Sequence, residues 1–173
     1  MKTALLFTVL TASAAFGQKP SAWLNEDLPS WLQFSGEYRA RLEGFKDGGF
    51  KPDNSDMYGL SRLRLNVAIQ PANWFRLVGQ TQDARVFWND RVASAPPYQN
   101  TFDLRLAYAE VGAADGPVTL RVGRQELDFG EQRLLGSLPW TNVTRSFDAV
   151  RATFRSSGYR LDAFASSVVV AGR

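Results

Sequence analysis

The feature that most constrains this chain is a series of strand-like segments whose connections alternate between long and short. Within each segment apolar and polar side chains alternate, and successive side chains of a strand point to opposite faces. Each segment therefore has one apolar and one polar face. The segments begin near residues 32, 61, 74, 101, 118, 150 and 159. Outer-membrane β-barrels have this asymmetry of long external loops and short periplasmic turns.

Strands of about 9 to 11 residues also match the length of a tilted strand that crosses a bilayer. The sequence therefore predicts an all-β, antiparallel up-and-down transmembrane β-barrel. Seven strands do not close a wide pore, so residues 32–173 are expected to be about the first seven strands of a larger barrel. The alternation predicts a lipid-facing set: Leu65, Val67, Leu104, Leu106, Leu120 and Val122. A soluble periplasmic β-sandwich binding protein is the alternative, because its arginine-bearing face would lie in water.

The N-terminus has the three parts of a secretory signal, namely the positive Lys2, an apolar run at 4–14 and a small-x-small site at 15–17. This predicts a signal peptide at 1–17, a proline-containing periplasmic lead-in at 18–31 and the partial barrel from 32 to 173. The expected location is the bacterial outer membrane.

Composition excludes several classes of function. The chain has no Cys and no His, which removes disulfides, thiolate metal sites, the commonest general base and the commonest metal ligand. The 20 Lys and Arg against 17 Asp and Glu give a net charge of +3, too small to indicate a nucleic-acid partner. We therefore expect no enzyme, no metal and no cofactor.

The connection between the strands near 118 and 150 is the longest and the most charged. Four apolar side chains lie close together in it: Leu134, Leu135, Leu138 and Trp140. Because a fully exposed loop would not need them, the segment is predicted to fold inward or across the barrel mouth and to bury them. It would then hold Arg124, Arg133 and Arg145 near the conduction path. The expected ion-pair partners in the loop are Glu126, Glu131 and Asp148, and ion pairing is favoured over glycoside cleavage because no cleft is evident.

The stretch GRQELDFGEQRLLGSLPWTNVTRSFDAVR at 123–151 resembles the signature region of the alginate export family of bacterial outer-membrane barrels. WLQFSGEYRARLEGF at 31–45 and LRLAYAEV at 104–111 are similar to the same family. The resemblance implies a wide barrel of about 18 strands with an arginine-rich lumen. It places that lumen at Arg62, Arg64, Arg105, Arg121, Arg124 and Arg151, to which the loop adds Arg133 and Arg145 as pore-lining or anion-binding candidates.

The function expected from the resemblance is export or diffusion of an anionic polysaccharide, such as alginate, through this lumen. A general or anion-selective porin for small sugar acids is the alternative. The expected partners are the anionic polysaccharide or sugar acid and the lipid of the outer membrane.

Overall fold

The computed structural model describes residues 23–172, which form one antiparallel sheet in which each strand pairs with the next along the chain. The strands are β1 (Leu32–Phe45), β2 (Asp56–Ala72), β3 (Phe75–Phe87), β4 (Asn100–Val111), β5 (Val118–Gln125), β6 (Phe147–Ser156) and β7 (Tyr159–Val168). Two short 3-10 turns, Trp23–Asn25 and Gly48–Phe50, accompany them. The all-β up-and-down prediction is confirmed. The predicted signal peptide at 1–17 and the first part of the lead-in, 18–22, lie outside the described residues.

The connections gather by length at the two ends of the sheet. The long ones, 46–55, 88–99 and 126–146, lie at one end, and the short ones, 73–74, 112–117 and 157–158, lie at the other. A sandwich would require two sheets packed face to face, whereas the described residues form a single open sheet. Within that same part of the chain, no helix has the length and apolar character needed to cross a bilayer.

One face of the sheet is apolar and uncovered. Its side chains are 41–65% exposed and include Leu63, Leu65, Leu104, Leu120, Val122, Val150, Phe154 and Leu161. Isolated apolar side chains are common on protein surfaces, but a continuous apolar face across several strands marks a surface that contacts lipid or another apolar partner. We refer to this side as the apolar face.

A β-bulge in β4 interrupts the alternation that the sequence predicts. Gln80 pairs with Leu106, whereas the next residue, Thr81, pairs with Leu104. Arg105 is therefore the extra residue on β4, without a directly opposite partner on β3. A bulge of this kind puts two residues against one and shifts the facing of the residues that follow.

The bulge overturns one prediction about the lipid face. Leu106 is only 8% exposed, so it is not part of the uncovered apolar face. Tyr108 lies on the same face of β4 as Leu106, directly opposite Gly123 on β5. Its ring packs 4.5 Å from the Arg121 guanidinium. Gly123 has φ of 119°, a backbone conformation that disfavours a side chain, and a Cβ at this position would clash with the carbonyl oxygen of Ala107.

A small apolar cluster lies at the end of the sheet that carries the long connections. It consists of Tyr58, Leu60, Val86 and Val92, with Phe45 and Tyr98 packed against it. Asp56 fixes the 88–99 connection, because its carboxylate accepts backbone N–H groups of three successive residues, including that of Val92 at 3.0 Å. This connection therefore has a defined position beside the polar face of the sheet.

Candidate functional site on the arginine-bearing face

The face opposite the apolar one carries arginines on all seven strands, if the bulge residue of β4 is included. They are Arg39, Arg41, Arg62, Arg64, Arg76, Arg105, Arg121, Arg151, Arg155 and Arg160. Arg62, Arg64 and Arg105 are 4%, 8% and 3% exposed. Charged side chains are almost never buried without partners. The partners come from the connection 126–146, which lies across this polar face and is called the crossing segment below.

Two arginines that face each other anchor the crossing segment. Arg39 on β1 lies directly opposite Arg62 on β2, an arrangement of like charges that is unfavourable on its own. Both guanidinium groups donate to the carbonyl oxygens of Pro139 and Thr141, over distances of 2.9–3.3 Å. Arg62 also pairs with Glu37. The carbonyl oxygens and the carboxylate therefore offset the repulsion between the two arginines.

Thr144 is the second attachment point of the crossing segment. Its hydroxyl oxygen accepts from Arg64 Nη2 at 2.9 Å and from Arg105 Nε at 2.5 Å. Arg64 also donates to Gln82 at 2.9 Å. Arg105 forms an ion pair with Glu126, at the start of the crossing segment. These two arginines therefore join the middle of the sheet to both ends of the segment.

Asn142 is the third attachment point, and it is 2% exposed. Its amide nitrogen lies 2.8–3.2 Å from three carbonyl oxygens, those of Ser61, Arg85 and Tyr98. The next residue, Val143, donates its backbone N–H to Pro97 at 2.9 Å. The crossing segment is thus fixed to β2, to β3 and to the 88–99 connection.

A second row of charges crosses the sheet nearer to the short connections. Arg76, Glu110, Arg121 and Arg151 lie in direct cross-strand register on β3, β4, β5 and β6. Arg121 contacts Glu110 at 2.5 Å, and Arg151 contacts Asp162 at 2.8 Å. Three guanidinium groups therefore face two carboxylates. Arg76 Nε is buried and has no hydrogen-bond partner among residues 23–172.

The structure separates the remaining predicted site residues from both of these groups. Arg124 pairs with Asp148 at 3.0 Å. It is two residues from Val122 on β5, so it lies on the apolar face with Val122 and not on the polar face with Arg121. Arg133 is 82% exposed in its side chain and contacts Glu131 at 3.3 Å. Arg145 is exposed and forms no ion pair within the described residues. Of the three predicted carboxylate partners, Glu126 is the one that pairs with an arginine of the polar face, namely Arg105.

The crossing segment lies against the polar face of the sheet, as predicted. The accompanying prediction that its four apolar side chains are buried there is wrong for three of them. Leu134, Leu138 and Trp140 are 83%, 42% and 61% exposed. The buried apolar residues are instead Val143 within the segment, and Leu127 and Phe147 at its start and just beyond its end. Leu135 is partly buried against the last two. Backbone carbonyls at 139–141 and the side chains of Asn142 and Thr144 hold the second half of the segment, and the three large apolar side chains stay exposed.

Sequence reasoning missed several residues that build this site. Arg39, Arg41 and Arg76 occupy the polar positions of their alternating strands. The apolar–polar alternation of the sequence was therefore sufficient to place them on the polar face. Asn142 and Thr144 gave no comparable signal, because their roles depend on contacts with strands 39 to 81 residues away.

A single up-and-down sheet with an uncovered apolar face and a charged face bearing an inward segment has the features of a transmembrane β-barrel wall. The alginate export family model matches residues 30–171, and the chain belongs to this family. The family is one of outer-membrane transport porins and not of enzymes, and membership supports a polysaccharide export pore in general. No curated protein and no solved structure matches the chain.

Proposed function

We propose that the polar face lines the lumen of an outer-membrane pore through which an anionic polysaccharide, such as alginate, is exported or diffuses. The observation that carries the proposal is the cross-strand register of arginines on the face opposite the uncovered apolar side chains. Guanidinium groups hold carboxylates in bidentate fashion. The proposal includes delivery to the outer membrane by a signal peptide at 1–17.

The arginines divide into two groups by what their donors already contact. Those near the crossing segment, Arg39, Arg62, Arg64 and Arg105, donate to its carbonyl and hydroxyl oxygens. They shape the lumen and contribute positive potential. Arg121 and Arg151 on the wall donate to Glu110 and Asp162 through Nε and Nη2. Direct contacts with a moving carboxylate then fall to their Nη1 groups, and to Arg133 and Arg145 on the exposed part of the segment. Such contacts must be several and individually weak, because a permeating ligand has to leave each of them.

Arg124 belongs to a different part of this proposal. Its guanidinium pairs with Asp148 on the side of Val122 and donates to the carbonyl oxygen of Leu104 at 2.9 Å. We assign it to joining β4, β5 and β6 at the wall, and not to contact with the ligand.

Charge neutralisation in a planar bilayer tests the proposal. In the full-length protein, the double variant Arg121→Gln, Arg151→Gln should lower the preference for anions over cations and weaken current block by oligouronates. Arg85→Gln is the matched control, because Arg85 lies in the alternation of the apolar face and pairs with Asp83 at 2.7 Å. Selectivity that is equal in the double variant and the parent, with both folded, would contradict the proposal.

The alternative, a porin for small sugar acids, is favoured by one observation. The crossing segment is held across the polar face at three points, and a segment in this position reduces the space available to a polymer. Block by a uronate monomer and by an octamer separates the two functions. A polysaccharide pore should retain the octamer longer, whereas a sugar-acid porin should pass the monomer and exclude the octamer.

A further inference from the structure

Trp140 is an exposed aromatic side chain in an unusual place. It is 61% exposed, yet it belongs to the crossing segment and not to the apolar face or to a strand end beside lipid. Other exposed tryptophans, Trp31 and Trp74, lie beside the ends of strands, where barrels carry their interfacial aromatic belts. Contact with lipid headgroups therefore accounts for those two but not for Trp140.

Arg39 on β1 fixes the backbone around Trp140. Arg39 donates to the carbonyl oxygens of Pro139, Trp140 and Thr141, at 3.3, 3.2 and 2.9 Å. Three consecutive carbonyls are thus held by one guanidinium on β1. The indole is presented by a segment with a defined position, and none of these contacts involves the indole itself.

One face of the indole is already occupied. The guanidinium carbon of Arg41 lies 4.5 Å from the ring centroid, within the range of a cation–π contact. The Arg41 side chain is only 9% exposed and contacts Glu43 at 3.0 Å. Because Arg41 belongs to the polar face of the sheet, the opposite side of the ring is turned away from the sheet, toward the space over the polar face.

This arrangement matches the chemistry of a sugar ring. The C–H groups of a pyranose make one side of the ring apolar, and they stack on the electron-rich face of an aromatic ring. The surrounding arginines attract a carboxylate on the same sugar. The exposed face of an indole that is held in place by a cation on its other face can therefore stack against a pyranose ring, whether or not the sugar carries a charge.

We infer that Trp140 is a stacking platform for the pyranose rings of the polysaccharide, held in place by Arg41 and by the carbonyl contacts of Arg39. This inference rests on the proposed function, and it adds to the arginine contacts an attraction that does not depend on ligand charge. An uncharged pyranose oligomer of the same length should therefore also be retained at this point.

Block of single channels by two oligosaccharides tests the platform in the full-length protein. The probes are an oligouronate and a neutral glucan oligomer of equal length. Trp140→Ala should shorten the residence time of both by about three- to tenfold, the size expected for loss of one aromatic stacking contact. Trp140→Phe should recover most of it. Leu138→Ala is the matched control on the same segment, because Leu138 is exposed but not aromatic.

The same experiment separates failure of the platform from failure of the proposed function. Residence times unchanged by Trp140→Ala would overturn the platform, even if the arginine variants alter anion selectivity. Neutral-oligomer block that depends on Trp140, in a channel indifferent to uronates, would uphold the platform and contradict the anionic substrate. If the alanine variant does not fold, quenching of fluorescence by the neutral oligomer in the parent but not in Trp140→Phe supports the platform, and equal quenching refutes it.

Discussion

At the scale of single residues, the polar face depends on the shape of the guanidinium group. Arg39 reaches three carbonyl oxygens and Arg62 reaches two of the same three. A lysine ammonium is a compact point charge and does not offer a planar set of donors. Two opposed arginines can therefore share one stretch of backbone, which makes an unfavourable pair of charges into an anchor for the crossing segment.

Asn142 gives a residue-scale prediction about this anchor. Asn142→Asp replaces an amide donor by a carboxylate that faces the carbonyl oxygens of Ser61, Arg85 and Tyr98. Leaving buried polar groups unsatisfied costs about 1–3 kcal/mol, and more for a charge. Hydrogen exchange of the Val143 amide should therefore accelerate by about tenfold or more. Asn73→Asp, in an exposed short turn, should leave the rate unchanged, and equal protection in both variants would contradict the assigned role.

Leu65 gives a prediction about the apolar face. It lies in the middle of β2 and is 56% exposed, whereas Met57 is 66% exposed near one end of the same strand and in the same alternation. Leu65→Arg should lower the free energy of unfolding from a bilayer by about 2–4 kcal/mol, and Met57→Arg by about 1 kcal/mol or less, because the penalty depends on depth. Equal losses would place the membrane band elsewhere.

At the scale of elements, strand alternation was a reliable guide wherever the pairing register is continuous. The β5–β6 and β6–β7 ladders have no register shift, and the faces predicted for Val122, Val150 and Arg151 are those observed. The β3–β4 ladder has shifts near Thr81 and near Ala84. The apolar pattern alone does not reveal a bulge, so the facing of Leu106 could not be predicted.

The crossing segment shows the same limit for a loop. The segment lies against the polar face as predicted, although three of the four apolar side chains on which that prediction rested are exposed. The attachment points, however, are backbone carbonyls and the side chains of Asn142 and Thr144, which meet their partners only in three dimensions. Leu134, Leu138 and Trp140 were predicted to be buried because a fully exposed loop would not need so many apolar residues close together. Arginines of the polar face hold the segment without burying them.

An element-scale prediction follows from the arginine anchor. Arg39→Lys keeps the charge but loses most of the shared carbonyl contacts, so residues 139–141 should become more mobile. Trypsin should then cleave after Arg133 or Arg145 faster than in the parent. Arg160→Lys, which changes an exposed arginine of β7, is the control. Identical cleavage of both variants would mean that Thr144 and Asn142 suffice to hold the segment.

At the scale of the whole molecule, the grouping of connections predicts an orientation in the membrane. Long connections of outer-membrane barrels lie outside the cell and short ones lie in the periplasm. The chain has no cysteine, so single cysteines can be introduced without background. A membrane-impermeant thiol reagent applied to intact cells should label Ser94→Cys, in the 88–99 connection, and not Asp115→Cys, in the 112–117 connection. The reverse labelling pattern would invert the orientation.

The anchor of the crossing segment also bears on the order in which the molecule assembles. Neighbouring strands pair locally, but Arg39 meets Pro139, Trp140 and Thr141 across 100 to 102 residues of sequence. Contacts between distant parts of a chain form slowly, because the intervening chain must first be brought into place. We therefore expect the strands to insert before the segment docks. The crossing segment would then cover the polar face only after the strands that form the lipid-facing wall have paired.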